Sequence, residues 1–183
     1  DMEKVGQMLT GKRILITGAA GSIGSEMVRQ IAAFDPAELV LIDQAETPMH
    51  DVRILMSKKF AQIPSHTIVT SICNSSRMEE VFKEFRPEYV FHAAAYKHVP
   101  LMEENPCEAV LVNVNGTRNV ADKCVEYDVE MMVMVSTDKA VNPTNIMGCT
   151  KRLAEIYVQS LGLALDLGHK TGKTKFVTTR FGN

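Results

Sequence analysis

The sequence predicts an α/β fold in which helices cover both faces of a doubly wound parallel sheet, the three-layer αβα arrangement of a Rossmann domain. Short apolar runs alternate along the chain with segments of helical periodicity. Runs such as LVLI, YVF and MMVMV are apolar almost throughout, which is typical of strands covered on both faces. This alternation predicts βαβ units, and the sheets built from them bind ligands beyond the carboxyl ends of their strands.

The predicted elements follow one another in a regular order. We predict strands at 13–17, 38–42, 67–70, 89–92, 131–136 and 175–180. A helix follows the first strand, because four apolar residues share one helical face there: Ile23, Met27, Val28 and Ile31. Further helices are predicted at 47–62, 76–85, 104–127 and 147–165, and the polar stretch 166–175 is predicted to be a surface turn.

Length and composition are those of one ordinary globular domain. The chain has 183 residues, 23% of them charged, so we treat residues 1–183 as one Rossmann domain. Twenty basic residues against 22 acidic ones argue against duplex nucleic acid as a partner. The four cysteines include no C-x-x-C pair, so we expect reduced thiols and no metal site. We expect a cytoplasmic location, because no signal peptide or membrane-spanning run is present in the sequence.

A glycine-rich turn follows the first predicted strand and opens the helix after it. Gly18, Gly21 and Gly24 form the pattern G-x-x-G-x-x-G, which keeps side chains away from the N–H groups at a helix N-terminus. A pyrophosphate binds at such a terminus, and the strand, turn and helix stand in the order that dinucleotide binding requires. The candidate cofactor contacts in this turn are Gly18, Gly21, Ser22, Ile23 and Gly24.

Asp43 ends the second predicted strand, where a carboxylate can accept hydrogen bonds from both ribose hydroxyls of a dinucleotide. It would also repel a 2′-phosphate, and the following residues 44–46 supply no arginine. The sequence therefore favours NAD over NADP. The alternative for these two features is a tight structural turn and a solvated aspartate.

Further motifs extend a family resemblance over nearly the whole chain. The glycine spacing resembles that of the short-chain dehydrogenases, as do HAAA at 92–95 and NVNGT at 113–117. Three longer signatures resemble the polysaccharide-biosynthesis branch, the nucleotide-sugar 4,6-dehydratases that act on UDP-N-acetylglucosamine: YKHVP at 96–100, STDKAVNPTNIMGCTKR at 136–152 and RFGN at 180–183. The family's Tyr-x-x-x-Lys differs here, because Met147 stands four residues before Lys151, so the usual tyrosine base is absent.

The resemblance implies a dehydration in three steps. Hydride leaves C4 of the sugar for NAD, water is eliminated across C5 and C6, and hydride returns to C6. By resemblance, Asp138 is the acid for the C6 hydroxyl, Lys139 is the base at C5, and Thr137 hydrogen-bonds the C4 oxygen. Lys151 would hold the nicotinamide ribose. The alternative for Asp138 and Lys139 is a solvated pair at the end of a strand.

The remaining expectations also come from the resemblance. The loop after the third strand adds Ile72 to the candidate cofactor contacts, and the H-x-A-A segment adds Ala93 and Ala94. The candidate substrate contacts are Lys97, His98 and Asn183. In the family, a smaller C-terminal lobe after R-F-G-N encloses a UDP-sugar, so we expect this chain to be the cofactor-binding portion. We also expect a membrane tether outside this segment, and pairing of two copies through the helices predicted at 104–127 and 147–165.

The acid and base roles require an unusual environment. In water at neutral pH an aspartic acid is ionised and a lysine is protonated, which is the reverse of what those roles need. Burial favours both neutral forms and mutual attraction opposes them, so we expect a closed and largely dry pocket around 138 and 139. Two other functions stay open. One is a catalytically silent NAD-binding module, which Met147 favours, and the other is a sugar-nucleotide epimerase, which needs the tyrosine more.

Overall fold

The computed structural model of the chain describes residues 1–182, which contain a six-stranded parallel sheet. Its strands are β1 (Arg13–Thr17), β2 (Glu38–Asp43), β3 (Ser65–Val69), β4 (Tyr89–His92), β5 (Met131–Thr137) and β6 (Lys175–Phe181). Their order across the sheet is β3-β2-β1-β4-β5-β6, and every neighbouring pair is parallel. The predicted doubly wound fold is therefore confirmed. The strand order reverses between β1 and β4, which is where such sheets bind ligands.

The helices form two layers, one on each face of this sheet. They are α1 (Met2–Leu9), α2 (Ser22–Ala32), α3 (Glu46–Lys59), α4 (Ser75–Phe85), α5 (Val99–Glu104), α6 (Pro106–Ala109), α7 (Thr117–Glu126) and α8 (Ile146–Asp166). A π-helical segment, Val110–Gly116, joins α6 to α7, and a 3-10 turn, Asp138–Ala140, follows β5.

The core explains why the strand sequences are apolar without alternation. Ile14 and Leu15, adjacent in β1, are both fully buried but belong to different apolar clusters. Leu15 packs in the cluster that contains Phe82 of α4 and Val158 of α8, whereas Ile14 packs in the cluster that contains Val28 of α2. Since successive side chains of a strand point to opposite faces, a strand covered on both faces must be apolar at every position.

Several predicted elements differ from the structure. The helix predicted at 47–62 ends three residues earlier, at Lys59. The single helix predicted over 104–127 is wrong, because this stretch contains the end of α5, then α6, the π-helical segment and α7. Pro106 has no backbone N–H to continue α5, and a new helix starts at that residue. β3 begins two residues earlier than predicted, and α1 was not predicted. The predicted turn at 166–175 is confirmed between the end of α8 and the start of β6. Across residues 1–182, no helix has both the length and the apolar character needed to cross a bilayer.

Candidate functional site

Two adjoining cavities lie at the carboxyl ends of the strands, beside the point where the strand order reverses. Six of the predicted cofactor contacts line the first cavity: Gly18, Gly21, Asp43, Ile72, Ala93 and Ala94. Eight predicted residues line the second cavity, which has a volume of about 370 Å³: Ile23, Ala93, Lys97, His98, Thr137, Lys139, Met147 and Lys151. Ala93, Ala95 and Tyr96 line both cavities, so the two adjoin.

The glycine turn after β1 packs so tightly that a side chain cannot replace Gly18 or Gly24. Gly18 has a φ of +68°, and a Cβ there would lie 2.5 Å from the Ala94 nitrogen. A Cβ on Gly24 would lie 1.8 Å from the Gly18 carbonyl oxygen. Gly24 is buried beneath the turn and does not line either cavity, so the structure shows its packing role, and its contact with the cofactor stays a prediction. Gly21 caps α2 without a side-chain hydrogen bond, which leaves the first N–H groups of α2 for an anionic ligand.

Asp43 links the glycine turn to the start of α3. One carboxylate oxygen accepts a hydrogen bond from the Ala20 nitrogen at 3.1 Å, and the other accepts one from the Ala45 nitrogen at 2.9 Å. A carboxylate oxygen has two lone pairs, so each oxygen keeps one acceptor site for a ligand hydroxyl. The carboxylate is only partly buried and lines the first cavity, as the proposed ribose contact requires.

His92 connects β1, β4 and α7 through a buried hydrogen-bond chain. Its Nδ1 lies 2.6 Å from Thr17 Oγ1, and its Nε2 lies 2.8 Å from Thr117 Oγ1. Since the Ala94 nitrogen donates to Thr17 Oγ1 at 3.3 Å, we assign the threonine proton to Nδ1 and the imidazole proton to Nε2. Burial, aided by the charge of Lys151, lowers the pKa of His92 to about 3, so the ring is neutral. This chain of hydrogen bonds holds Ala94 against Gly18.

Ile72 is held at the first cavity by the π-helical segment and α7. The Asn119 side chain donates a 2.6 Å hydrogen bond to the Ile72 carbonyl oxygen. A Cβ on Gly116 would lie 2.6 Å from Ile72 Cδ1, so a larger residue there would displace the Ile72 side chain from its present position. The glycine of the N-x-x-G-T motif therefore positions a cofactor-side residue, a contact that the motif alone did not predict.

The residues that follow β5 form a compact polar turn. Thr137 Oγ1 accepts a hydrogen bond from the Lys139 nitrogen at 3.2 Å and donates one to Asp138 Oδ1 at 3.1 Å. Lys139 Nζ lies 3.7 Å from Asp138 Oδ1, in an ion pair. The Asp138 side chain is 54% exposed and that of Lys139 is 35% exposed, so residues 1–182 leave the turn open to solvent and the closed, dry pocket stays a prediction. The turn lies at the protein surface because residues 1–182 place no element over it.

Helix α8 brings Met147 and Lys151 to the same cavity. Asn145 caps this helix by accepting a 2.7 Å hydrogen bond from the Gly148 nitrogen. A Cβ on Gly148 would lie 2.3 Å from the Lys139 carbonyl oxygen, so glycine lets the first turn of α8 pack on the Thr137–Lys139 turn. Met147 is buried and packs with Met102 and Ala109.

Lys151 is the most unusual titratable group of the site. It is 5% exposed, and its Nζ donates a 2.9 Å hydrogen bond to the Val135 carbonyl oxygen. Burial lowers the pKa of Lys151 from 10.5 to about 8, although the carboxylate of Glu155 acts in the opposite direction. The ammonium can therefore release a proton near neutral pH.

Asn113 is a site residue that sequence reasoning missed, although the N-x-x-G-T motif contains it. It is fully buried in the π-helical segment. Its Oδ1 accepts a 2.8 Å hydrogen bond from the Tyr96 nitrogen, while Nδ2 donates to the Tyr96 carbonyl oxygen at 2.9 Å and to Thr150 Oγ1 at 3.1 Å. One side chain thus ties the loop after β4 to the turn of α8 that carries Lys151. π-helical insertions occur frequently at functional sites.

Lys97 lies nearer to the glycine turn than its predicted substrate role suggested. Its Nζ donates a 2.8 Å hydrogen bond to Ser22 Oγ, at the start of α2, although Lys97 also lines the second cavity. The Ser22 side chain thus contacts Lys97 and lines neither of the two site cavities. His98 is exposed on the rim of the second cavity. Asn183 lies outside the described residues.

A buried ion pair, also missed from the sequence, anchors the last strand to α8. Glu155 is fully buried, and its two oxygens accept hydrogen bonds of 3.0 and 2.7 Å from Arg180, the arginine of R-F-G-N. Arg152 donates a third at 3.1 Å. Burial raises the pKa of Glu155, but the hydrogen bonds from both arginines outweigh it and hold the pKa at about 2. Phe181 and Gly182, the next residues, line the second cavity. Within residues 1–182, no three acidic, histidine or cysteine side chains are grouped as a metal site would require.

Comparisons with known proteins identify the family of the chain. Residues 14–183 match the family model described as "Polysaccharide biosynthesis protein". The chain is 47% identical over 184 residues to the capsular polysaccharide biosynthesis protein CapD of Staphylococcus aureus, which covers all of this chain and 30% of that protein. It is 33% identical over 178 residues to UDP-N-acetylglucosamine 4,6-dehydratase (inverting) of Campylobacter jejuni, covering 96% of this chain and 50% of the relative. UDP-glucose 4-epimerase of Rickettsia canadensis is also 33% identical, over 180 residues and with the same coverage. The chain thus spans half the length or less of these relatives.

Solved structures share the fold. Pen from Bacillus thuringiensis superposes with a TM-score of 0.87 at 30% identity, over 96% of this chain and 51% of that one. UDP-glucose 4-epimerase of Thermus thermophilus, solved as a complex with NAD, superposes with a TM-score of 0.76 at 25% identity, over 92% of this chain and 54% of that one. The extent of both superpositions confirms the predicted fold class across nearly the whole chain.

Proposed function

Because the chain belongs to the polysaccharide biosynthesis protein family, we propose that it is the NAD-binding portion of a nucleotide-sugar 4,6-dehydratase. The proposed substrate is UDP-N-acetylglucosamine, and the proposed role is the synthesis of surface polysaccharide. One observation carries the proposal: Thr137 and Lys139, the two neighbours of Asp138 in the chain, line a cavity that adjoins the cavity lined by the glycine turn and Asp43. The identity to a 4,6-dehydratase of Campylobacter jejuni supports the reaction type.

The residues present fit NAD. The glycine turn would hold the pyrophosphate, because Gly18 and Gly24 leave no room for side chains and the start of α2 has no side-chain cap on its first N–H groups. Asp43 would bind the adenosine ribose, Ile72 would contact the adenine, and Lys151 would bind the nicotinamide ribose. Bound NAD would supply a reversible hydride acceptor. The carboxylate of Asp43 supports NAD rather than NADP, since it would repel a 2′-phosphate.

Asp138 and Lys139 would then act as a coupled acid and base. Lys139 Nζ takes the proton from C5, and Asp138 gives its proton to the departing C6 hydroxyl. The pair ends this step as an ammonium and a carboxylate, which is the ion pair present at 3.7 Å. Transfer of one proton from Lys139 to Asp138 restores the neutral, reactive pair. Because the two groups are adjacent, that transfer needs no third residue.

Asp138 and Lys139 can be neutral together only if less water reaches them than reaches them in residues 1–182. Asp138 is more than half exposed, and water stabilises the charged forms of both groups. We propose that the bound sugar nucleotide, together with chain that the longer relatives possess and this one lacks, covers the turn. The 370 Å³ cavity beside Lys139 would become the closed pocket that the reaction needs.

Met147 occupies the position of the family's tyrosine, so no tyrosine hydroxyl is available there to contact the C4 oxygen of the sugar. A thioether takes up no proton, so Thr137 and Lys151, which line the same cavity, would hold that oxygen. A lysine with a pKa of about 8 can donate or accept a proton near neutral pH. An epimerase is the second candidate, since a UDP-glucose 4-epimerase is as similar as the dehydratase. We rank it lower because epimerisation at C4 makes no use of an acid and base for C5 and C6.

We also propose that two copies of the chain pair. Three large apolar residues of helix α8 are between 44% and 57% exposed, Leu153, Ile156 and Leu163, and Leu167, which caps the helix, is 60% exposed. Val110 and Leu111 are exposed on the neighbouring π-helical segment. A second copy would bury this surface, which is larger than isolated exposed apolar residues account for.

The function is tested on the full-length natural protein that contains this chain, incubated with NAD and UDP-N-acetylglucosamine. We expect a product that has lost one water and carries a 4-keto group, and we expect Asp138→Asn and Lys139→Ala to abolish it. Lys173→Ala, in the exposed turn between α8 and β6, is the matched control and should leave the rate unchanged. A product of unchanged mass that is inverted at C4 would instead identify an epimerase. NAD binding without any product from a sugar nucleotide would identify the silent module.

A further inference from the structure

One hydrogen bond joins the two loops that border the cofactor groove. Gln44 follows β2, next to Asp43, and its Nε2 donates to Tyr96 Oη at 3.2 Å. Tyr96 belongs to the loop after β4, 52 residues further along the chain. Both residues line the first cavity, and Tyr96 also lines the second. The bond therefore crosses the groove between the side that carries Asp43 and the side that carries Ala93.

The two ends of this contact differ in how firmly they are held. Both backbone polar groups of Tyr96 are hydrogen-bonded to the buried side chain of Asn113, at 2.8 and 2.9 Å. The Tyr96 ring also packs against the cluster that contains Met147. Gln44 is exposed, and its side chain has several rotatable bonds. The bond thus has a fixed end at Tyr96 and a mobile end at Gln44, so it can open without any backbone change.

We infer that Gln44 and Tyr96 form a cofactor-retaining contact, which closes over a dinucleotide bound in the groove. This inference rests on the proposed function. A dinucleotide that extends from Asp43 to Lys151 must pass between the β2 and β4 loops, beneath the bond. The proposed reaction returns its hydride to the sugar in every cycle, so the cofactor has no need to leave. Slow release is therefore compatible with turnover, whereas a dehydrogenase that exchanges its cofactor would gain nothing from such a contact.

The test measures how fast bound NADH leaves the protein. The chain is loaded with NADH, an excess of NAD is added, and the loss of nucleotide fluorescence is followed by stopped flow. Tyr96→Phe removes the hydroxyl and keeps the ring packing, while Gln44→Met removes the amide and keeps the length of the side chain. Tyr157→Phe is the matched control, because its hydroxyl donates to Asp122 on α7, away from both cavities.

A lost neutral hydrogen bond predicts release that is about three- to tenfold faster in each variant. The double variant should release NADH no faster than either single variant, because both substitutions remove the same bond. Tyr157→Phe should match the wild type. Unchanged release in both single variants would overturn the inference while leaving NAD binding intact. So would a double variant whose increase in release rate equals the product of the two single-variant increases. Faster association with unchanged release would also overturn it, because the bond would then close only the empty groove. A wild-type chain that binds no NADH would refute the proposed function itself.

Discussion

The buried ammonium of Lys151 makes the stability of the protein depend on pH in a way that one substitution can isolate. In the folded state burial lowers the pKa of Lys151 from 10.5 to about 8, whereas the unfolded chain keeps the ordinary value. Between about pH 8 and 10.5 the unfolded state therefore binds a proton that the folded state has lost, and the free energy of unfolding rises with pH. Below pH 8 both states are protonated, and the folded state carries the cost of a buried charge, about 3 kcal/mol.

Lys151→Met removes this charge and keeps most of the side-chain volume. We expect the variant to gain stability relative to the wild type at pH 7, and we expect that gain to shrink by about 2.5 kcal/mol on going from pH 7 to pH 10. The neighbouring groups do not titrate in this window, since the pKa of His92 is about 3 and that of Glu155 about 2.

Urea denaturation followed by circular dichroism at pH 7, 8, 9 and 10 measures both proteins under the same conditions. Lys58→Met, at an exposed lysine of α3, is the control and should give a difference that does not vary with pH. A stability difference for Lys151→Met that also stayed constant from pH 7 to pH 10 would refute the reasoning, because it would mean that folding does not desolvate this ammonium.

Three further substitutions test the site, the anchor of β6 and the proposed pairing surface. Gly24→Ala should abolish NADH binding measured by fluorescence titration, because the new Cβ would lie 1.8 Å from a backbone carbonyl oxygen of the turn. Glu155→Gln should lower the free energy of unfolding by about 2 kcal/mol in urea denaturation, because Arg180 loses a charged, bidentate acceptor. This figure lies below the range for fully buried ion pairs, since the arginine side chain is partly solvated. Leu153→Glu combined with Leu163→Glu should convert a dimer to a monomer in analytical ultracentrifugation, because both substitutions place charge on the exposed apolar face of α8.

Each of these three has an outcome that contradicts it. Gly162→Ala is the control for the glycine turn, since a Cβ there meets its nearest atom at an ordinary 3.6 Å, and NADH binding by both variants would show that the turn tolerates side chains. A stability of Glu155→Gln equal to that of the wild type would mean that the ion pair does not anchor β6. A wild-type chain that sediments as a monomer would remove the pairing proposal.

The fold and the outline of the site could be predicted because local patterns determine them. Continuous apolar runs require strands buried on both faces, and the observed sheet has them in β1, β2 and β4. The glycine pattern marks a turn where backbone atoms come too close for a Cβ, as they do at Gly18 and Gly24. Because parallel strands end at one edge of a sheet, residues that follow β1, β2, β4 and β5 had to meet there.

Features that depend on contacts across the chain could not be read from these patterns. Lys97 reaches Ser22, 75 residues earlier, and Gln44 reaches Tyr96, 52 residues later. The fully buried carboxylate of Glu155 looks in the sequence like any charged residue on a helix. Arg152, three residues earlier, is a partner that helical spacing allows, but the bidentate contact with Arg180 depends on how β6 packs against α8.

The exposure of each site residue could not be predicted from these patterns. The chemistry required a dry environment for Asp138, and the described chain leaves that carboxylate more than half exposed. The sequence by itself determined which residues lie at the strand ends, because periodicity and turn chemistry are local. Only the tertiary structure decided which of those residues are buried, which are paired and which remain in water, because burial is a property of everything that packs around a side chain.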